Sequence, residues 1–89
     1  MARAISFAPA AWEQYLGWYG TDRVHFGKIN ALLSACARDP FDGVGKPERL
    51  KGDLAGYWSR RIDQEYRLVY GVFGESIAVL QCRYHYTKK

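Results

Sequence analysis

The sequence has little of what membrane, secreted and metal-binding proteins require. No apolar run approaches the ~20 residues of a membrane-spanning helix, and the N-terminus lacks the basic-then-apolar pattern of a secretion signal. Its two cysteines, Cys36 and Cys82, form no CxxC or Cys/His ligand spacing, so we expect two free, buried thiols. The sequence therefore predicts a cytoplasmic protein with no metal site and no cofactor.

Internal repeats and low-complexity segments are also absent from the 89 residues. A chain of this length fits one domain, residues 1–89, with a small core. The hydrophobic fraction of 48% and the aromatic fraction of 16% are typical of a folded globule rather than a disordered segment.

The formal net charge of +4 is unevenly placed along the chain. Residues 1–45 carry four positive and four negative side chains, whereas residues 46–89 carry nine and five. The basic second half of the chain indicates a polyanionic partner such as a nucleic acid. Neutralising its phosphates releases counterions, which gives affinity that does not depend on the nucleotide sequence. A solvated basic face is the alternative, and charge alone leaves both open.

The first half of the chain predicts two helices. Pro9 suits the first position of a helix that follows Ala8 and runs to about Tyr19, and its apolar stripe is Trp12, Tyr15, Leu16 and Tyr19. Thr21 or Asp22 can cap a second helix that ends before Asp39-Pro40, with the stripe Phe26, Ile29, Leu32, Leu33 and Cys36. His25 lies within this helix, where we expect a surface or packing residue.

Strands make up the rest of the prediction. Residues 2–7 form a short strand at a sheet edge, or one paired with a distant strand, and a turn-rich stretch leads into the loop Lys46 to Lys51. The runs 56–62, 66–73 and 76–86 are joined by links too short for parallel crossovers, which predicts an antiparallel meander. The predicted fold class is α+β, with two N-terminal helices packed on a twisted antiparallel sheet.

Alternation along the strands predicts a core face and a basic face, because side chains two residues apart share a face. The core face would hold Trp58, Ile62, Leu68, Tyr70, Val72, Ala78, Leu80, Cys82 and Tyr84. The other would gather Arg61, Arg67, Arg83 and His85, together with Ile77 and Val79. A histidine, several arginines and the nearby carboxylate of Glu48 are the groups needed for acid and base catalysis on a phosphate ester.

Each of these residues also has a purely structural interpretation. Arginines along a sheet face are more often paired with neighbouring carboxylates than catalytic. Glu48 could be a loop acid paired with Lys46 or Lys51, and His85 could belong to an aromatic strand end that closes the core.

Four motifs follow one another in the second half of the chain: Gly45-Lys46-Pro47-Glu48-x-Leu50-Lys51, Gly56-Tyr57-Trp58-Ser59-Arg60-Arg61-Ile62, Arg67-Leu68-Val69-Tyr70 and Cys82-Arg83-Tyr84-His85-Tyr86. In sequence and spacing they resemble the YoeB toxins (Txe/YoeB family), RelE-like mRNA interferases of type II toxin–antitoxin modules. The resemblance runs from about Ile5 to Tyr86. The chain departs from the family at Tyr66, where members often have histidine, and in Thr87-Lys88-Lys89, which extend past the tyrosine at which some members stop.

The resemblance implies ribosome-dependent cleavage of messenger RNA in the ribosomal A site by attack of the ribose 2′-hydroxyl. It implies that Glu48 is the general base, Arg67 stabilises the phosphate and His85 is the general acid. It assigns Lys51, Arg61 and Tyr86 to substrate binding. The implied partners are the 70S ribosome, mRNA and a YefM/Phd-like antitoxin, with a homodimer or a toxin–antitoxin hetero-oligomer as the assembly.

Two other function classes stay open at this point. A ParE-like gyrase poison shares the fold but needs no nuclease residues, and a non-catalytic RNA-binding or co-repressor subunit would act only with its antitoxin. Codon preference, the identity of the antitoxin and the physiological trigger are not encoded in any motif of the sequence.

Overall fold

The computed structural model describes residues 2–83, and within them it has two α-helices, a short 3-10 helix and five strands. In chain order these are β1 (Ala4–Phe7), α1 (Pro9–Thr21), α2 (Arg23–Arg38), β2 (Glu48–Arg49), the 3-10 helix (Gly52–Leu54), β3 (Tyr57–Arg61), β4 (Arg67–Phe73) and β5 (Ser76–Gln81). None of the helices in this described part is long and apolar enough to cross a membrane.

The five strands form one mixed sheet in the order β1-β5-β4-β3-β2. β3, β4 and β5 are the predicted antiparallel meander, and β2 adds antiparallel to β3. β1 lies at the sheet edge and pairs with β5 in parallel, so the sheet is mixed rather than purely antiparallel. Because α1 and α2 pack against one face, the predicted α+β class is confirmed. The opposite face, on which no α-helix of residues 2–83 packs, is called the open face below.

Helix boundaries follow the local sequence signals. Pro9 opens α1 behind Ala8, which gives no side-chain cap, and α1 continues through Gly20 to Thr21 instead of ending at Tyr19. Asp22 caps α2 by accepting hydrogen bonds from the backbone N–H groups of Val24 and His25. α2 ends at Arg38, immediately before Asp39-Pro40 as predicted.

The core confirms the stripe of α2, but of the predicted α1 stripe only Tyr15 packs against it. Ile29, Leu32, Leu33 and Cys36 are buried, and Phe26 packs against them. In α1 the buried positions are Ala11 and Trp18, whereas Trp12, Leu16 and Tyr19 are 46%, 49% and 52% exposed. The predicted stripe of α1 was therefore rotated by about one residue from the face that packs.

A β-bulge corrects the predicted faces of β5. Val69 is paired with Gln81 while Tyr70 is paired with Val79, so Leu80 is an extra residue on β5. Ile77 and Val79 consequently lie in the core, where Ala78 and Leu80 were expected, yet Cys82 is buried as predicted. The strand ends at Gln81, and Cys82 and Arg83 form a bend; Tyr84, His85 and Tyr86, predicted to continue the strand, lie outside the described residues.

His25 joins the start of α2 to the β3–β4 turn. Its Nδ1 and Nε2 atoms lie 2.6 Å from carboxylate oxygens of Asp22 and Asp63, respectively. Its ring stacks on Trp18 at 4.7 Å between centroids, and Tyr66 packs edge-on against both rings. The prediction that His25 is a packing residue is confirmed, and its ion pairs connect two distant segments.

The contacts of His25 make the stability of the fold depend on pH. The hydrogen bond to Asp63, followed by that to Asp22, raises the pKa of His25 above 6.5 despite its desolvation. Burial acts to raise the pKa of Asp63, but bonds from His25 and the turn's N–H groups lower it below 3.8. The hydrogen bond from the backbone N–H of His25 also lowers the pKa of Asp22 below 3.8.

We predict that His25→Phe, which keeps a ring on Trp18, lowers the melting temperature most between about pH 4 and pH 6.5. A raised histidine pKa contributes stability below its unfolded value that is lost as pH rises through the folded value. A lowered aspartate pKa contributes stability above its unfolded value that is lost as pH falls through the folded value. Thermal unfolding of both proteins from about pH 4 to about pH 9 measures the effect, and a difference that stays constant over that whole range would contradict it.

Candidate active site

Two of the predicted site residues meet on the open face of the sheet. Arg67 Nη1 donates hydrogen bonds to Glu48 Oε1 at 2.8 Å and to Ser59 Oγ at 2.9 Å. The sheet register explains the meeting, because Glu48 is paired with Ser59 across β2 and β3. The side chain of Glu48 is 51% exposed and that of Arg67 is 22% exposed. The carboxylate of the pair is therefore accessible to solvent, while most of the arginine is covered.

A second arginine of the same face lies beside this pair. Arg61 is paired directly with Arg67 across β3 and β4, and cross-strand partners share a face. Arg61 is exposed. Glu48, Ser59, Arg61 and Arg67 are called the basic cluster below, since two guanidinium groups face one carboxylate.

Arg83 does not join the basic cluster, in contrast to the prediction. Its guanidinium carbon lies 4.6 Å from the ring centroid of Trp18, next to Gly17 of α1. The bulge and the bend after β5 take Arg83 from the open face to the helix layer. The basic face is therefore smaller than the alternation of the strands indicates.

The loop that leads to Glu48 is fastened to the sheet by Arg60. This side chain is fully buried and donates hydrogen bonds to the Tyr70 hydroxyl and to the backbone carbonyls of Asp39, Asp42 and Val44. The backbone N–H of Arg61 also donates to the carbonyl of Gly45 at 2.7 Å. These bonds hold residues 39–45 against β3 and so determine where β2 and its carboxylate begin.

Side chains of α1 hold the chain where it leaves β5. Gln14 Oε1 accepts a hydrogen bond from the backbone N–H of Cys82, and Trp18 Nε1 donates to the carbonyl of Cys82, both at 2.8 Å. His85, the expected general acid, follows three residues later in the sequence. Both backbone groups of Cys82 are thus held in place three residues before His85.

The two thiols are unsuited to nucleophilic chemistry. Both are free and buried, as expected. Burial raises the pKa of the Cys36 thiol above 9.0 and raises the pKa of Cys82 to about 12. Thiols with such pKa values are protonated at neutral pH, and the thiolate is the nucleophilic form.

The predicted site residues therefore fall into three groups. Glu48, Arg67 and Arg61 are brought together, and Lys51 is exposed in the loop that follows β2. His85 and Tyr86 lie outside the described residues. Ser59 and Arg60 were missed as supporting residues, although their places on β3 carry a signal: Ser59 alternates with Arg61, and Arg60 alternates with the core residues Trp58 and Ile62.

The sequence matches a known class of bacterial proteins. Residues 7–86 match the model of the YoeB-like toxins of bacterial type II toxin–antitoxin systems. The chain therefore belongs to this family, as its motifs predicted.

Individual relatives are similar over nearly the whole chain. Toxin YoeB of Streptomyces coelicolor is 54% identical over 82 residues, which cover 92% of this chain and 98% of that protein. The structure of a YoeB/ParE toxin from Agrobacterium tumefaciens has a TM-score of 0.89 at 47% identity, covering 93% of this chain and 99% of that one. The toxin in a heterotetrameric YoeB-YefM complex from Staphylococcus aureus has a TM-score of 0.87 at 44% identity, covering 97% and 100%.

We predict that Arg60→Met lowers the free energy of unfolding by at least about 3 kcal/mol. The substitution removes the hydrogen bonds that the charged guanidinium donates to a hydroxyl and three carbonyls, and a hydrogen bond to a charged group contributes roughly 1.5–3 kcal/mol. Arg61→Met, the same change at the neighbouring exposed arginine, is the matched control and should cost little. Urea unfolding of the three proteins measures the difference, and equal losses in both variants would show that the loop is not held by Arg60.

Proposed function

We propose that this toxin is a ribosome-dependent endoribonuclease that acts in the cytoplasm and cleaves mRNA in the ribosomal A site. The observation that carries the proposal is the 2.8 Å contact between Glu48 and Arg67 on an open, basic sheet face. A base and a phosphate-binding cation side by side are what 2′-hydroxyl attack on a phosphodiester requires. Residues 1–89 would form one toxin domain that contains this activity, and the match of residues 7–86 to the family supports this.

The proposed reaction uses the substrate's own hydroxyl as nucleophile. The Glu48 carboxylate takes the proton of the ribose 2′-hydroxyl, and the oxygen attacks the adjacent phosphorus. Arg67 and Arg61 stabilise the added negative charge of the phosphorane. His85 donates a proton to the departing 5′-oxygen, which gives a 2′,3′-cyclic phosphate and a 5′-hydroxyl. Lys51 and Tyr86 are proposed to bind the substrate.

The resting ion pair gives a physical reason for dependence on the ribosome. Carboxylates are weak bases at neutral pH, and in the free chain Arg67 donates to Glu48. A substrate phosphate has to take over the guanidinium before the carboxylate can accept a proton. We infer that the ribosome supplies the positioning of the mRNA that this exchange requires.

An antitoxin is the second proposed partner. The related toxin from Staphylococcus aureus was solved as a heterotetrameric complex with YefM. The described basic cluster and the nine basic residues of the chain's second half would suit an acidic segment of a YefM/Phd-like antitoxin that covers the site. Whether the toxin also forms a homodimer is a separate question that size measurements on the purified protein answer.

The first prediction from this mechanism concerns the nucleophile. An mRNA with 2′-deoxyribose immediately 5′ of the scissile phosphate should bind the ribosome normally but resist cleavage, because the attacking oxygen is missing. Unmodified mRNA should give a 2′,3′-cyclic or 3′-phosphate and a 5′-hydroxyl. Mapping the products by gel electrophoresis and end labelling measures both outcomes. A normal rate on the deoxy substrate, or products with 5′-phosphates, would contradict the roles of Glu48 and His85 together.

The second prediction concerns the phosphate-binding cation. Arg67→Ala should lower the cleavage rate on ribosomes by roughly a hundredfold or more, since it removes a preorganised charge from the transition state. Arg49→Ala is the matched control: Arg49 is also exposed, but its guanidinium lies over the ring of Trp58 on the opposite face. Single-turnover rates for folded variants test this. Equal rates for both variants would remove Arg67 from the mechanism. A wild type that cuts no mRNA on ribosomes would instead favour a non-catalytic co-repressor or a gyrase poison, and a supercoiling assay tests the latter directly.

A further inference from the structure

We propose that an apolar groove beside the basic cluster holds the base of a nucleotide adjoining the scissile phosphate, with Tyr57 as its stacking platform. This inference rests on the proposed RNA cleavage. It adds a binding residue that the catalytic set of Glu48, Arg67 and His85 does not include.

The groove lies on the open face of the sheet, between β1, β5 and β3. Its lining is formed by Ser6, Phe7, Ala8, Tyr57, Ala78, Val79 and Leu80. The sheet register creates it, because Ser6 is paired with Ala78, Ala78 with Gly71 and Gly71 with Tyr57 across four strands. The bulge adds to it by placing Leu80 at its wall rather than in the core.

Gly71 allows the aromatic side of the groove to form. A Cβ atom at this position would lie 2.7 Å from the ring of Phe73 and 3.0 Å from the ring of Tyr57. Both separations are below van der Waals contact, so any side chain at position 71 would push the rings away from the sheet. With glycine there, the two rings meet edge-on at 6.2 Å, and the ring of Tyr57 borders the groove.

One residue of the groove, Tyr57, lies near the proposed phosphate site. Tyr57 precedes Ser59 by two residues on β3, so the two side chains share a face and lie about 7 Å apart. Ser59 accepts the hydrogen bond from Arg67 that fixes the guanidinium. A nucleotide whose phosphate contacts Arg67 is therefore within reach of the groove with its base.

Charge and ring chemistry favour RNA as the occupant. Single-stranded RNA is bound by stacking its bases on aromatic side chains while cations hold the backbone. Here a mostly apolar groove lined by the aromatic residues Phe7 and Tyr57 lies on the same face as two arginines, Arg61 and Arg67. The proposed antitoxin would cover this face in the inhibited complex, whereas in the active toxin a ring beside phosphate-binding cations fits a nucleotide. We therefore assign the groove of the active toxin to a base.

The test combines changes in the protein with changes in the substrate. Base stacking contributes roughly 1–3 kcal/mol, so Tyr57→Ala should lower kcat/KM on ribosome-bound mRNA about fivefold or more, while Tyr57→Phe should retain most activity. Tyr19→Ala is the matched control, because Tyr19 is a half-exposed tyrosine in the helix layer. Ala78→Leu, which fills the groove without removing a ring, should also slow cleavage. Thermal unfolding of each variant identifies any loss that comes from the fold.

Abasic substrates separate base binding from other roles of the ring. An abasic nucleotide on one side of the scissile phosphate should slow the wild type about as much as Tyr57→Ala does, and should slow Tyr57→Ala no further. Losses that multiply, or abasic substrates cut at the normal rate on both sides, would overturn the inference. Normal wild-type cleavage with a fully active, folded Tyr57→Ala would overturn it while leaving the proposed function intact. A wild type that cuts no RNA on ribosomes would overturn both.

Discussion

The buried guanidinium of Arg60 is the interaction on which the site depends. Its described bonds to three loop carbonyls and to Tyr70 place a charge in the helix-side core, with the loop that leads to Glu48 wrapped around it. β2 is two residues long and could not hold its own position by ladder bonds alone. Arg60, on the helix side of the sheet, therefore determines that Glu48 contacts Arg67 on the open side.

Local sequence signals predicted much of this fold because they act through the backbone. Asp22 as a cap, Pro9 as a first helical residue and short links between strands each specify geometry with their immediate neighbours. The bulge at Leu80 is different. It depends on how β5 pairs with β4, which no local pattern of β5 reveals, and it moved Ile77 and Val79 into the core. One extra residue exchanged the faces of half a strand.

The rotated stripe of α1 has a similar cause. Apolar residues surround much of this helix, so periodicity alone does not select the packed face. Tertiary contacts select it: Ala11 is small enough to be fully covered, and the indole N–H of Trp18 needs the carbonyl of Cys82 that lies beneath it. Of the candidate site, residue chemistry and alternation predicted Glu48, Arg61 and Arg67 as a group. They did not predict that Arg83 leaves this group for the ring of Trp18.

The base and one cation of the proposed site are paired in the free chain, which matters for a toxin. In the free chain the base and the cation satisfy each other, with Ser59 as a second acceptor for Arg67, so neither group is poised for reaction. Stray RNA would have to displace Glu48 from Arg67 using only its own phosphate contacts, in competition with dissolved salt. A substrate already immobilised on a ribosome gives up less freedom on docking and can displace it more readily. Under the proposed function, the Glu48–Arg67 ion pair of the free chain would thus restrict cleavage to RNA presented on the ribosome.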